Sequence, residues 1–507
     1  MGVYAGEGIV GSGGEAVMEE RFTYTTPESV GVSSAAVLEL LKTFDGRRMH
    51  THSVIMARGD RIFAECYYKP FHEKFLHRMY SVSKSFIAIA VGLAVTEGLM
   101  CLDDAVIGYL PEFRNENIDE FYEKCTVRDM LMMRSNIGTG VYWWGKFDSR
   151  IAAYYSQSSD KRPGGLFRYD SIGSFLLGCI IEKLTGKNFL EYLKEKVLLA
   201  LGFSRESYVL REPGGYAIGD SGVMCTARDL LIFARFIMRG GEWGGKQYID
   251  RTFMEDAVKK LSHTDLSGTH GLYSSGGYGY LIWKTHPDGF SLVGMGDQLA
   301  VCDMKRDICF ILTADNQAER CERHIIFYEL YNHFFPGACD TPLAENAAAH
   351  RELCDYLGSR TLVAQYGERS APIASSVLNR RFVKVKGELD FSAFTLGEDF
   401  ITLERGEEKY TLAFSLLENR ETEFSLGTRA KADMMGIYEV GKYNVNASAG
   451  WVDESTFAIL AQVTDTYFGT LAVHIAFAAD GATLLVRRSG QYVFDGIDGF
   501  LIARKES

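Results

Sequence analysis

Two residues three apart, Ser81 and Lys84 in the run Ser81-Val82-Ser83-Lys84, are of the types that together perform nucleophilic catalysis. A serine hydroxyl is a weak nucleophile until a neighbouring base takes its proton, so a functional serine needs a partner within hydrogen-bond reach. At the head of a helix this spacing supplies one. Residues three apart share a helical face, so the Lys84 amine can approach the Ser81 hydroxyl, and the helix N-terminus favours a developing anion. The lysine must be partly desolvated to lose its proton near neutral pH. The pattern is weak alone, since roughly one or two chance matches are expected in a chain of this length. It recurs as Ser158-Ser159-Asp160-Lys161, in a polar stretch next to Pro163-Gly164 that reads as a solvated loop.

What separates the two copies is the element that would hold them. Residues 81–97, SVSKSFIAIAVGLAVTE, are apolar nearly all round after a polar first turn, which predicts a central buried helix. Upstream, SVIMARGDRIFAECYY reads as a hairpin turning at Arg58-Gly59-Asp60. FLLGCIIEKLTGKNFLEYLKEKVL and TARDLLIFARFIMRGG have helical periodicity, the second closing on Gly240-Gly241. VCDMKRDICFILTADN reads as two strands joined at Lys305-Arg306-Asp307. Helices between an early hairpin and late strands predict an α+β domain: an antiparallel sheet, shared by N-terminal and C-terminal strands and flanked by helices, plus an α-rich lobe.

In its ordered segments the chain resembles the serine β-lactamase, penicillin-binding-protein and related esterase family, nearest the class C and esterase-like branch. SVSKSFIAIAVGLAVTEGLMCLDDAVIGYLPEF resembles that family's nucleophile helix and the string that trails it. TVRDMLMMRSNIG, PGGLFRYDSIGSFLLGCIIEKLTGKNFLEYL, GVMCTARDLLIFARFIMRGG, YGYLIW and GMGDQLAVCDMKRDICFILTADN follow in family order, covering about residues 22–335. The resemblance implies a β-lactamase/transpeptidase-like fold and an acyl-enzyme formed on Ser81. Tyr169-Asp170-Ser171 matches the family's Tyr-x-Asn segment, which makes Tyr169 the residue that would relay a proton to the leaving group. Ser171 replaces an amide that would hold a substrate amide carbonyl, and this favours the esterase-like branches over β-lactam or peptide recognition. The third family motif falls on Val293-Gly294-Met295-Gly296, with no Lys or His. The oxyanion hole is then expected from the backbone N–H groups of Ser81 and Met295, with Ser171, Gly294 and Gly296 lining the substrate site.

Other candidates carry less weight. Tyr142, Trp143 and Trp144 form an aromatic cluster that could line a pocket or simply pack. His72-Glu73 with His77 has an interval of five where HExxH needs four, and these read as surface residues. Gly219-Asp220-Ser221-Gly222-Val223 only superficially matches GxSxG and reads as a loop beside the site. No glycosidase-like carboxylate pair or phosphate-binding glycine loop stands out.

At 507 residues the chain exceeds what one hydrophobic core usually supports. We expect a flexible segment over 1–21, a hydrolase domain over 22–337, a linker over 338–359, and an antiparallel β-barrel or sandwich over 360–507, with Asp480-Gly481 as one of its hairpin turns. Family relatives with a lipocalin-like C-terminal barrel give that shape a precedent. A net charge of −12 without a basic run argues against a nucleic-acid or anionic-membrane surface. Ten cysteines without a CxxC pair read as reduced, mostly buried thiols. The opening residues lack a basic start and an apolar core, and no apolar run is long enough to span a bilayer, so a cytoplasmic protein is expected.

The function expected from these observations is a serine hydrolase acting on a small ester or amide, esterase-, amidase- or D-aminopeptidase-like, without metal or organic cofactor. Its partner would be a small-molecule or short-peptide substrate. An acyltransferase using the same acyl-enzyme and a non-catalytic penicillin-binding-like sensor are the alternatives. A binding role for the C-terminal domain, including assembly of a homo-oligomer through it, is a further reading.

Overall fold

The computed structural model describes residues 22–506 apart from 138–148, 213, 265–275, 318–321, 434–435, 466–467 and 490–496, and gives backbone alone over the rest of 427–441. The first sheet is made of β1 (Thr23–Tyr24), β2 (Thr51–Arg58), β3 (Arg61–Tyr67), β4 (Trp283–His286), β5 (Gly289–Gly294), β6 (Gln298–Asp303) and β7 (Ile308–Ala314), in the order β1-β3-β2-β7-β6-β5-β4. The early hairpin therefore pairs with the late strands, with Ile55 opposite Ile311 and Met56 opposite Phe310. These pairings are antiparallel except that of the two-residue β1 with β3. Every residue of β5, β6 and β7 is buried, as expected of strands covered on both faces. Gly59 and Asp307, at φ +60° and +55°, make the tight turns that the sequence marked.

Helices cover this sheet and build the lobe beside it: α1 (Ser34–Gly46), α2 (Ser83–Thr96), α3 (Arg150–Tyr155), α4 (Ser171–Thr185), α5 (Phe189–Lys196) and α6 (Ala227–Met238). α2 is buried from Ser83 to Ala94. Phe86 stacks on Phe233 of α6 at 3.7 Å between ring centroids, and Gly92 admits the Phe253 ring so closely that a Cβ would sit 2.4 Å from it. Burying an apolar side chain of this size stabilises by roughly 1.5–3 kcal/mol, so α2 is fixed by its surroundings. α6 starts in a capping box between Thr226 and Asp229 and stops where Gly240 and Gly241 turn to positive φ.

Segment 338–359 is more than a strap. It carries α7 (Ala347–Gly358), capped by Asn346, whose side chain accepts from the Ala349 N–H. Leu353 is buried, and Tyr356 and Arg360 both hold Asp45 of α1.

The C-terminal sheet comprises β8 (Arg381–Gly387), β9 (Ala393–Leu396), β10 (Phe400–Arg405), β11 (Glu408–Ala413), β12 (Ser415–Leu416), β13 (Arg420–Asp433), β14 (Gly436–Trp451), β15 (Thr456–Val463), β16 (Thr470–Phe477), β17 (Gly481–Arg488) and β18 (Gly499–Lys505). The order is β11-β10-β9-β8-β18-β17-β16-β15-β14-β12, with β13 also on β14. β13 returns alongside β11, which curls the sheet into a nearly closed barrel. Along β16, Leu471, Val473, Ile475 and Phe477 are buried while His474 and Ala476 are exposed, the period of two that fills a barrel interior. The barrel and the hydrolase domain have separate apolar cores. No helix among the described residues is long and apolar enough to cross a membrane.

Candidate active site

The chain reaches Ser81 through a short strand, His77–Arg78, paired with Val223–Cys225. Tyr80 then takes φ +45°, a conformation that costs a non-glycine residue about 1–3 kcal/mol and is retained where its surroundings over-determine it. A 3₁₀ turn over Tyr80–Val82 follows, and α2 proper begins at Ser83. Ser81 thus stands on a sharp entry turn, two residues ahead of a helix that the sequence expectation began at residue 81 itself.

Lys84 is 1% exposed. Its Nζ donates to Ser81 Oγ at 3.1 Å and to the Asp220 carbonyl at 2.7 Å. The same Nζ lies 5.2 Å from the ring centre of Tyr169, whose ring is stacked on Trp283 at 5.8 Å and edge-on to Tyr278. Lysine, serine and tyrosine therefore meet at the head of α2. Ser171 is buried in the first turn of α4, where Asp170 is the cap and accepts from the Ile172 N–H.

The loop 219–223 is a splint across this turn. Besides taking Lys84 on the Asp220 carbonyl, it takes Arg78 Nε on the Ser221 carbonyl at 3.1 Å. The Val223 N–H donates to Ser83 Oγ at 3.0 Å, and the Met79 N–H to the Val223 carbonyl at 2.9 Å. The loop is itself anchored by a buried, bidentate ion pair, Arg150 Nη1 and Nη2 on Asp220 Oδ1 and Oδ2 at 2.9 and 3.0 Å. Burial pushes the Asp220 carboxyl up, but Arg150, and more weakly Lys84, hold it below the ordinary carboxylate value. Nearby Glu212 is pushed up to about 7, by burial first, with Arg150 opposing and Asp220 reinforcing.

On the other side lies the end of β5. A Cβ on Gly294 would fall 2.4 Å from the Met79 carbonyl oxygen, so only glycine lets this strand approach the Ser81 turn so closely. The following turn places Gly296 and Asp297 at φ +72° and +68°. Arg323 pins it, with Nε on Asp297 Oδ1 at 2.6 Å and Nη2 on the Gly294 carbonyl at 2.8 Å. Gln298 Nε2 donates to the carbonyls of Met295 and Ala314 at 3.0 and 2.7 Å. Met295 packs against a small cluster that contains Tyr80, the residue before Ser81.

The second SxxK copy is a loop: Ser159 Oγ donates to Asp119 at 2.8 Å, and Lys161 holds the Ser135 and Leu166 carbonyls. Tyr142, Trp143 and Trp144 lie outside the described residues. One sequence expectation needs correcting. His72 and Glu73 are exposed, but His77 is buried. It shares a 2.7 Å hydrogen bond with His52 behind the Ser81 turn, among Phe71, Phe75 and Phe468, because His77 belongs to the strand that pairs with Val223–Cys225. Burial drives the His77 ring down to about 3 and that of His52 well below its ordinary value, so this is a neutral pair. Sequence reasoning placed the loop of Asp220 beside the site but missed Arg150 and the ion pair between the two, which lie 70 positions apart and carry no local signal.

A hydroxyl and a buried amine in contact at a helix head, with a phenol over the amine and a glycine-bounded strand end opposite, form an arrangement suited to serine-based acyl transfer. The family model described as Beta-lactamase matches residues 38–324. The chain belongs to this β-lactamase family of serine hydrolases, for which an acyl-enzyme mechanism is characteristic. Among curated proteins, 6-aminohexanoate-dimer hydrolase of Paenarthrobacter ureafaciens is 25% identical over 267 residues, 48% of this chain and 67% of that one. Esterase EstB of Burkholderia gladioli is 26% identical over 171 residues, 30% of this chain and 43% of the esterase. A solved Bacillus anthracis structure assigned as a 6-aminohexanoate-dimer hydrolase shares the fold at a TM-score of 0.50 and 18% identity, covering 62% of this chain and 87% of its own.

Proposed function

We propose that this protein hydrolyses a small ester or amide through an acyl-enzyme on Ser81. The observation that carries the reading is the buried Lys84 amine, 3.1 Å from Ser81 Oγ and held on its far side by the Asp220 carbonyl. With Lys84 neutral, one N–H stays on that carbonyl and the lone pair faces the Ser81 hydroxyl. Oγ attacks the substrate carbonyl carbon as its proton passes to Lys84 Nζ, and the oxyanion rests on the backbone N–H groups of Ser81 and Met295. Lys84 then returns the proton through Tyr169 to the departing alcohol or amine, and the C–O or C–N bond breaks. Water attacks the acyl-enzyme, losing its proton along the same path in reverse, and Ser81 is regenerated. The names of the relatives, an amide-dimer hydrolase and an esterase, support small amides and esters as the substrate class.

The test is turnover of an activated ester together with covalent labelling by a fluorophosphonate. Ser81→Ala is expected to abolish labelling and lower turnover by about 10⁴-fold or more, and Tyr169→Phe to lower turnover by roughly 10²- to 10⁴-fold. Labelling that persists in Ser81→Ala would refute the assignment.

A further inference from the structure

One aromatic ring from the C-terminal barrel reaches the turn that carries Ser81. Phe468, in the connection between β15 and β16, is 1% exposed. It meets the Tyr80 ring edge-on at 5.4 Å, the His77 ring at 4.3 Å and the His52 ring at 5.5 Å. Phe468 and Tyr80 form a small buried apolar cluster of their own, and the partly buried side chain packed against it is Met295. The barrel thus meets Tyr80 directly and shares a small cluster with Met295, so it reaches both backbone arms whose N–H groups face the oxyanion in the mechanism above. One arm is the residue immediately before Ser81, in its left-handed conformation. The other is Met295 itself.

The ring is not a loose contact. Two residues on, Thr470 Oγ1 donates to Asp315 Oδ2 at 2.8 Å, and Ser489 Oγ, just past the end of β17, donates to the same oxygen at 2.8 Å. The Thr470 N–H donates to Ser489 Oγ at 2.7 Å. Asp315 directly follows β7, whose last carbonyl, that of Ala314, shares the Gln298 amide with the carbonyl of Met295. The barrel is therefore fastened to the strand end that holds Met295, and from that anchorage it lays Phe468 over Tyr80. A left-handed tyrosine persists only where packing removes its alternatives, and on this face the packing comes from the second domain.

We propose that Phe468 is a positioning residue for acyl transfer and that the C-terminal barrel completes the acyl site by holding Tyr80 and Met295 at the spacing an oxyanion requires. The inference rests on Ser81 being the nucleophile. It predicts an effect on the rate of acylation rather than on substrate capture, because Phe468 acts through the two backbone arms.

The experiment compares full-length wild type, Phe468→Ala, Phe468→Leu and Ser81→Ala for kcat and KM on an activated ester, for the second-order rate of fluorophosphonate labelling, and for folded fraction by circular dichroism. Phe468→Ala is expected to lower kcat and the labelling rate together by about 10- to 100-fold, the scale on which small misplacements of reacting groups act, with KM within about threefold. Phe468→Leu, which refills most of the volume, should recover both rates to within about fivefold of wild type. If Phe468→Ala does not fold, Phe468→Val takes its place in the comparison. The proposal is overturned if the small variant keeps wild-type kcat, if its loss equals its unfolded fraction, or if the change falls on KM alone. An inactive Ser81→Ala beside a fully active Phe468→Ala would overturn this inference and leave the nucleophile assignment standing. An active Ser81→Ala would remove both.

Discussion

Asp315 offers a prediction with a worked magnitude. Its carboxyl is buried at the junction of the two domains and is pushed up from 3.8 to about 6, by burial first, with the hydrogen bonds from Thr470, Ser489 and Gln317 opposing. A carboxyl whose native pKa lies above its unfolded value holds its proton more tightly when folded. Its contribution to stability is therefore lost as pH rises from about 4 to about 6 and stays lost above that. At about 1.4 kcal/mol per pH unit of separation, the full loss is about 3 kcal/mol at pH 8 and about half of that at pH 5. Asp315→Asn removes the ionisation. Its amide oxygen can still accept from Thr470 and Ser489, and Gln317 can turn its amide to accept from the new NH₂. Urea unfolding of both proteins at pH 5 and pH 8 should show the variant gaining about 1–2 kcal/mol on the wild type between the two. The adjacent His50, lowered to about 4 by burial first and then by Arg48, is neutral in the fold across this window. It titrates alike in both proteins and cancels from the difference. A stability difference that is flat with pH, or that moves toward the wild type at pH 8, would refute the reasoning.

Two further outcomes follow from the site. Gly294→Ala places a methyl 2.4 Å from the Met79 carbonyl oxygen, a backbone atom that cannot rotate away, so esterase turnover should fall by about 100-fold with the protein still folded; unchanged turnover would show that the spacing of β5 from the Ser81 turn does not matter. Arg150→Met leaves the Asp220 carboxylate buried without its partner and should destabilise by about 3–5 kcal/mol in a denaturant titration, most of it restored in the double variant with Asp220→Asn; a double variant no better than the single one would contradict the ion-pair account.

The catalytic lobe was legible in the sequence because its signals are local. Residues 81–97 lack a polar face, and only a helix surrounded by protein tolerates that; Arg58-Gly59-Asp60 and Lys305-Arg306-Asp307 mark turns between strand-like runs. α7 had readable signals too, Asn346 as a cap followed by Ala347-Ala348-Ala349, yet the segment read as a linker because it falls between two stronger patterns. Other features are tertiary. Arg150 and Asp220 each look like a surface charge until the fold buries them together. His77 resembled an exposed histidine because its strand is two residues long and finds its partner about 150 residues later. Phe468 is one apolar residue among many in a β-rich stretch, and only the docking of one domain on the other gives it a neighbour at the site.

The pairing of β2 with β7, and the arrival of Phe468 after both, also set a timetable. Ser81 and Lys84 emerge early in synthesis, but β7, which closes the sheet beside β2, comes more than two hundred residues later, and the ring that covers Tyr80 later still. At 5–20 residues per second, the roughly 390 residues from Ser81 to Phe468 take about 20–80 s to make. For the first part of that interval the nascent chain carries Ser81 and Lys84 without the β5 end that lies opposite them, and for all of it without the Phe468 ring against Tyr80. On the proposed role of Phe468, competence for acyl transfer would arrive with the last domain, and a chain cut short within the barrel would leave the Ser81 turn uncovered.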